Sequence, residues 1–82
     1  MRLPRDISGT QLAHLLQKYG YQIDHQTGSH IRLVSNFKIT EHKITIPSHD
    51  PLKIGTLNGI LNELAAYLKT DKETLVQQLF GK

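Results

Sequence analysis

Two changes of apolar period constrain this chain more than any other feature. Leu12, Leu15, Leu16 and Tyr19 recur at helical spacing, the repeat drops to two from Tyr21 onward, and it returns to the helical value between Leu57 and Leu68. A chain patterned in this way must bury one helix face, a set of half-buried strands and a second helix face against each other. The expected class is therefore α+β. Each change is marked by residues that interrupt regular structure, Gly20 at the first and Pro47 with Pro51 at the second.

Local signals place the boundaries. Ser8 with Gln11 reads as a capping box, and Ile7 and Leu12 stand where they can pack together as a hydrophobic staple at the helix entry. Gly20 ends that helix as a left-handed cap. Tyr21 and Ile23 then share one face of a half-buried strand, with Gln22, Asp24 and Gln26 on the other, and Thr27-Gly28 makes the turn. In the next strand, SHIRLVS, Ile31 and Leu33 point one way and His30, Arg32 and Val34 the other. After a loop from Asn36 to Glu41, the strand HKITIP sends Ile44 and Ile46 inward and Lys43 and Thr45 outward, and Pro47 ends its pairing. Gly55-Thr56 opens a second helix with Leu57, Ile60, Leu61, Leu64, Ala65 and Leu68 along one stripe. Thr70 with Glu73 reads as another capping box, starting a final helix over 70–80 whose Leu75, Val76, Leu79 and Phe80 require docking. The strands are joined by turns too short for parallel crossovers. The prediction is a three-stranded antiparallel sheet backed by helices, in the order α-β-β-β-α with an extra C-terminal helix.

At 82 residues the chain fits a single domain, 1–82, because separate hydrophobic cores need roughly 100–200 residues each. It has no cysteine, which removes disulfide frameworks, thiolate zinc sites and a cysteine nucleophile while leaving the redox compartment open. No apolar stretch is long enough for a signal peptide or a membrane span, so the expectation is a cytoplasmic protein with no membrane partner. Ten Lys and Arg against seven Asp and Glu give a formal charge of +3. That balance suits an anionic partner such as nucleic acid, although proteins without one also reach it. With two Phe, three Tyr and no Trp, a base-stacking platform is not evident, and contact with a nucleic-acid backbone is favoured over base reading.

Among five histidines, His30 follows Gly28-Ser29 and His49 follows Pro47-Ser48, so both should be reachable from solvent. RNA is cleaved without a metal when a base takes the 2′-hydroxyl proton and an acid protonates the leaving 5′-oxygen. Imidazole suits either role, since its ordinary pKa of about 6.5 lies near working pH. Arg32, on the same strand face as His30, can hold a phosphate bidentately, and Lys43 adds charge to the outward face of the third strand. Lys53 with Gly55 and Thr56 offers a charge and free backbone amides at a helix start for a further phosphate; equally, the glycine there simply lets the chain enter the helix. By spacing alone His30 also looks like an ordinary surface histidine, and PSHDP around His49 reads equally as a turn in which Asp50 bonds its own backbone. His25 has the parity of Tyr21 and Ile23, which predicts partial burial at a strand end. His14 and His42 read as surface or edge residues. His25 and His30 flank one turn with opposite parity, and no tight histidine pair shares a helix, so neither a metal site nor a cofactor is expected.

The segments LPRDISGTQLAHLLQKYGYQIDHQTGSHIRLV, ITIPSHD and KIGTLNGILNEL resemble the HicA toxin family, also called YcfA-like, over roughly residues 3–68. The most specific parts are Gly20-Tyr21, the triplet Gly28-Ser29-His30, the strand end Ile46-Pro47-x-His49, and Gly55-Thr56-Leu57 before Ile60-Leu61. The resemblance implies a fold like the double-stranded-RNA-binding domain. It also implies the toxin of a type II toxin–antitoxin pair, a translation-independent endoribonuclease that cleaves mRNA and is silenced by a HicB-type antitoxin. The family's catalytic histidine maps onto His30, and His49 matches a second family histidine as an auxiliary candidate. The carboxy-terminal KTDKETLVQQLFGK departs from the shortest members and is expected to complete the core or widen the antitoxin contact. Alternatives from other classes are a noncatalytic RNA-binding module of the same fold and a pure protein-interaction domain.

Overall fold

The first helix begins where the capping box puts it. In a computed structural model that describes residues 3–38 and 40–81, the Ser8 hydroxyl accepts from the Gln11 amide at 3.1 Å. The Gln11 side chain accepts from the Ser8 amide at 2.8 Å, and Ile7 and Leu12 are both buried beside this cap. Helix α1 (Gly9–Leu15) tightens into a 3-10 turn over Leu16–Tyr19 and ends at Gly20 with φ 78°, a left-handed residue whose amide donates to the Gln17 carbonyl. Glycine adopts that conformation at no steric cost.

Strands β1 (Gln22–Gln26), β2 (His30–Ser35) and β3 (His42–Pro47) form one antiparallel sheet in the order β1-β2-β3. Helices α2 (Ile54–Leu68) and α3 (Lys72–Phe80) follow. The predicted element order and α+β class hold throughout. In β2 and β3 the alternation is as predicted: Ile31, Leu33, Ile44 and Ile46 are buried on the helix side, with His30, Arg32, Lys43 and Thr45 exposed on the other. Helix α1 packs over β2 and β3 and α2 over β3, while α3 packs on α2.

Strand β1 departs from expectation. All five of its residues are exposed, and Ile23, predicted inward, is 43 % exposed. The reason is its edge position: the helices cover β2 and β3, so only Tyr21, just ahead of β1, reaches the core. A bulge at Asp24 also shifts the register, with Ile23 opposite Leu33 but His25 opposite Arg32.

The apolar stripe of α2 is buried as predicted, with Leu57, Leu61 and Leu64 fully enclosed; each such side chain stabilises the fold by about 1.5–3 kcal/mol. Helix α3 does complete the core, through Leu75, Val76 and Leu79. It is also latched to the 3-10 turn, where Lys18 Nζ donates to the Gln78 carbonyl at 2.8 Å and the Tyr19 hydroxyl donates to the Gln78 side chain. The cap of α3 lies one residue later than the Thr70-Glu73 pairing predicts. Asp71 is the N-cap and accepts from the Thr74 amide and hydroxyl, which holds its carboxyl below the usual range. A carboxylate accepts both bonds at once, which the Thr70 hydroxyl does less well. Among the described residues no helix is long and apolar enough to cross a membrane.

Candidate functional site

His30 opens β2 directly after the Gly28-Ser29 turn and is exposed. The Thr27 amide donates to the His30 carbonyl at 2.9 Å, and the His30 amide donates to the Thr27 hydroxyl at 3.1 Å, which closes the hairpin. The Ser29 hydroxyl lies 3.0 Å from His30 Nδ1. That contact fixes the ring and leaves Nε2 toward solvent, the arrangement a proton-transfer imidazole requires. The turn itself is braced from β3: the Ser48 amide donates to the Ser29 carbonyl at 3.0 Å and the Ser48 hydroxyl to the Gly28 carbonyl at 2.9 Å. Around Gly28 nothing lies within 4 Å of where a Cβ would stand, so close packing within the chain does not require glycine there.

The open face of the sheet carries the row that alternation predicts. His30 pairs with Pro47, Arg32 with Thr45 and Val34 with Lys43, and partners across a ladder share a face. Arg32 therefore lies between His30 and Lys43. His25 corrects the sequence reading twice. It is exposed, not partly buried, and the bulge at Asp24 brings it opposite Arg32 onto the same face as His30. A bulge inserts one residue and so reverses the alternation beyond it.

The remaining candidates lie in the connection that follows β3 and at the start of α2. The His49 carbonyl accepts from the Gly9 amide at 2.9 Å, and the Leu52 amide donates to the Ile7 carbonyl at 2.8 Å. The Pro47–Leu52 connection is thus tied to the start of α1, and its backbone is held through Ser48, His49 and Leu52. The His49 side chain is exposed. Lys53 is the N-cap of α2 without a side-chain capping bond, so among the described residues the first-turn amides, Gly55 and Thr56 included, have no side-chain acceptor. Partners of the far half of α2 lie at the opposite end of the strands, where Glu63 meets His42 and Tyr67 meets Ser35 and Thr40. The structure therefore brings His30, Arg32 and Lys43 together on the sheet face, sets Lys53, Gly55 and Thr56 at the start of α2, and places His49 next to Ser48, whose bonds to Gly28 and Ser29 hold it at the His30 end of the sheet.

A polar cluster at that opposite end was not anticipated. His42 Nδ1 accepts from the Tyr21 hydroxyl at 2.5 Å and its Nε2 donates to Glu63 at 3.0 Å, while its ring stacks on Tyr67 at 4.6 Å between centroids. Glu63 accepts only, so His42 Nε2 carries the proton of that bond. Burial, with the nearby Tyr67 and Glu63 adding negative charge on ionisation, raises the Tyr21 hydroxyl well above the ordinary tyrosine value. This group joins the entry of β1 to β3 and α2, and its location away from His30 marks it as structural. The partners are 21 residues apart in each bond, so no local sequence pattern pairs them.

Fold and site together define a small basic α+β domain that presents histidines and cations on an uncovered antiparallel sheet. Residues 9–65 match the family described as the HicA toxin of bacterial toxin-antitoxin, and the chain belongs to that family. The matched region runs from the first residue of α1 into the last turn of α2 and takes in both histidine motifs; α3 lies beyond it. Neither the curated proteins nor the solved structures searched give a match.

Proposed function

We propose that this toxin is a metal-independent endoribonuclease that cleaves mRNA without the ribosome, acts in the cytoplasm as a single domain, and is neutralised by a HicB-type antitoxin. The observation that carries the reading is His30, exposed at a braced turn with Nδ1 against Ser29 and Nε2 free, in a row with Arg32. Imidazole Nε2 either takes the 2′-hydroxyl proton as that oxygen attacks phosphorus or gives a proton to the departing 5′-oxygen. Arg32 stabilises the charge on the pentavalent phosphorane, and Lys43 holds the adjoining backbone. Lys53 and the amides of Gly55 and Thr56 take a further phosphate, and His49 is an auxiliary catalytic group.

The test is incubation of purified wild-type and His30→Ala proteins with long RNA in the presence of a chelator, followed by mapping of the termini. Wild-type protein should leave 2′,3′-cyclic phosphates and 5′-hydroxyls, and His30→Ala should lose about 10²–10⁴-fold in rate while melting like wild type. Undiminished cleavage by folded His30→Ala would sink the assignment. Salt-sensitive RNA binding with no cleavage by wild type would instead support the noncatalytic module.

A further inference from the structure

The reaction needs two proton-transfer groups, and His30 is one. The bulge at Asp24 supplies a second imidazole on the same uncovered face. His25 stands directly across from Arg32, and His30 is two residues before Arg32 on the same strand. Directly opposed side chains on a sheet have Cβ atoms about 5 Å apart, and diagonal neighbours are about 7–8 Å apart. Two imidazoles at that separation, with a guanidinium alongside, match the span from the attacking 2′-oxygen to the leaving 5′-oxygen on opposite sides of one phosphorus. Both rings are exposed. His49, the other candidate, follows Ser48, which bonds the Gly28 and Ser29 carbonyls before His30, but it lies past the last ladder pair, its carbonyl tied to the Gly9 amide, and has no register partner beside Arg32.

We propose that His25 is the second catalytic residue, completing with His30 an acid and base pair across a phosphate held by Arg32. This rests on the endoribonuclease reading above. One imidazole accepts the 2′-hydroxyl proton, the 2′-oxygen to phosphorus bond forms, and the bond from phosphorus to the 5′-oxygen breaks as the other, protonated, imidazole gives that oxygen its proton. The two rings end with their protons exchanged, and solvent restores them. The charged or titratable groups sharing the face with His25 are Asp24 beside it, Arg32 and His30 on β2, and Lys43 on β3.

Cleavage by His25→Ala and His25→Gln is compared with wild type for kcat, KM and pH dependence, with melting curves as the fold control. The expected result is a fall in kcat of about 10²–10⁴-fold and loss of one limb of a bell-shaped pH profile, at unchanged thermal stability. A second substrate, in which sulfur replaces the scissile 5′-oxygen, leaves without needing a proton. Near-wild-type cutting of it by His25→Ala assigns His25 as the acid; slow cutting of both substrates assigns it as the base. Wild-type kcat with a two-limbed profile in either variant overturns the proposal, as does a rise in KM alone, which would make His25 a phosphate-binding group. In either case cleavage by wild type leaves the endoribonuclease reading standing. Absence of cleavage by wild type removes both.

Discussion

Single residues govern how the two ends of this sheet are held, and glycines show it most directly. A Cβ on Gly9 would lie 2.0 Å from the Pro47 carbonyl oxygen, so the start of α1 approaches the end of β3 as closely as it does only because no side chain intervenes. Gly9→Ala must push those backbones apart and is expected to cost about 1–3 kcal/mol or more, read as a lower denaturant midpoint. Gly28→Ala meets open space and should leave the midpoint close to wild type. If it nevertheless impairs RNA cleavage, the role of Gly28 is to let the substrate backbone approach, not to let the chain fold. The contrast explains why a sequence shows where glycines are but not what each is for. Nothing within the local segment distinguishes Gly9, pressed against a strand 38 residues away, from Gly28 at an open turn.

At the scale of elements, the cluster of Tyr21, His42, Glu63 and Tyr67 ties the sheet to α2. Its hydroxyl gives stability a pH dependence of definite sign. Because the Tyr21 value is raised in the folded state, unfolded chains lose that proton first as pH climbs, and the folded state then binds more protons than the unfolded. The contribution is fully present below about pH 10 and is lost above it. Alkaline melts should therefore fall more steeply for wild type than for Tyr21→Phe, which should itself lose about 1 kcal/mol at neutral pH with the bond to His42. Burial also raises Tyr19, so part of the alkaline loss will persist in that variant. Most elements were legible because their signals are local: the Ser8-Gln11 cap, the left-handed Gly20, the alternation of β2 and β3, and the stripe of α2. The bulge was not, since an inserted Asp24 changes no composition and only its partner strand reveals that the count is off by one. That single miss carried His25 to the wrong face, while His30, Arg32 and Lys43, on strands without a bulge, were placed correctly.

For the molecule as a whole, the decisive element lies outside the matched family region. Helix α3 buries Leu75, Val76 and Leu79, roughly 5–9 kcal/mol of apolar stabilisation, against a total of about 4–12 kcal/mol for a chain of this size. Truncation after Lys69 is expected to abolish cooperative unfolding, checked by loss of the thermal transition and of dispersed amide resonances. Its apolar pattern made docking legible, but its latch from Lys18 and Tyr19 to Gln78 was not, because those partners are some 60 residues apart. Among the described residues β1 and β3 are the edge strands of the sheet, and an edge strand is a template for another chain to pair with and so a route to aggregation. On β3 the exposed Lys43 and the missing amide hydrogen of Pro47 blunt the edge. On β1 the extra residue at Asp24 breaks the flat run of donors and acceptors. The residue that turns His25 toward the open face thus also interrupts the edge as a pairing template, so a straightened β1 is expected to give up solubility along with the imidazole.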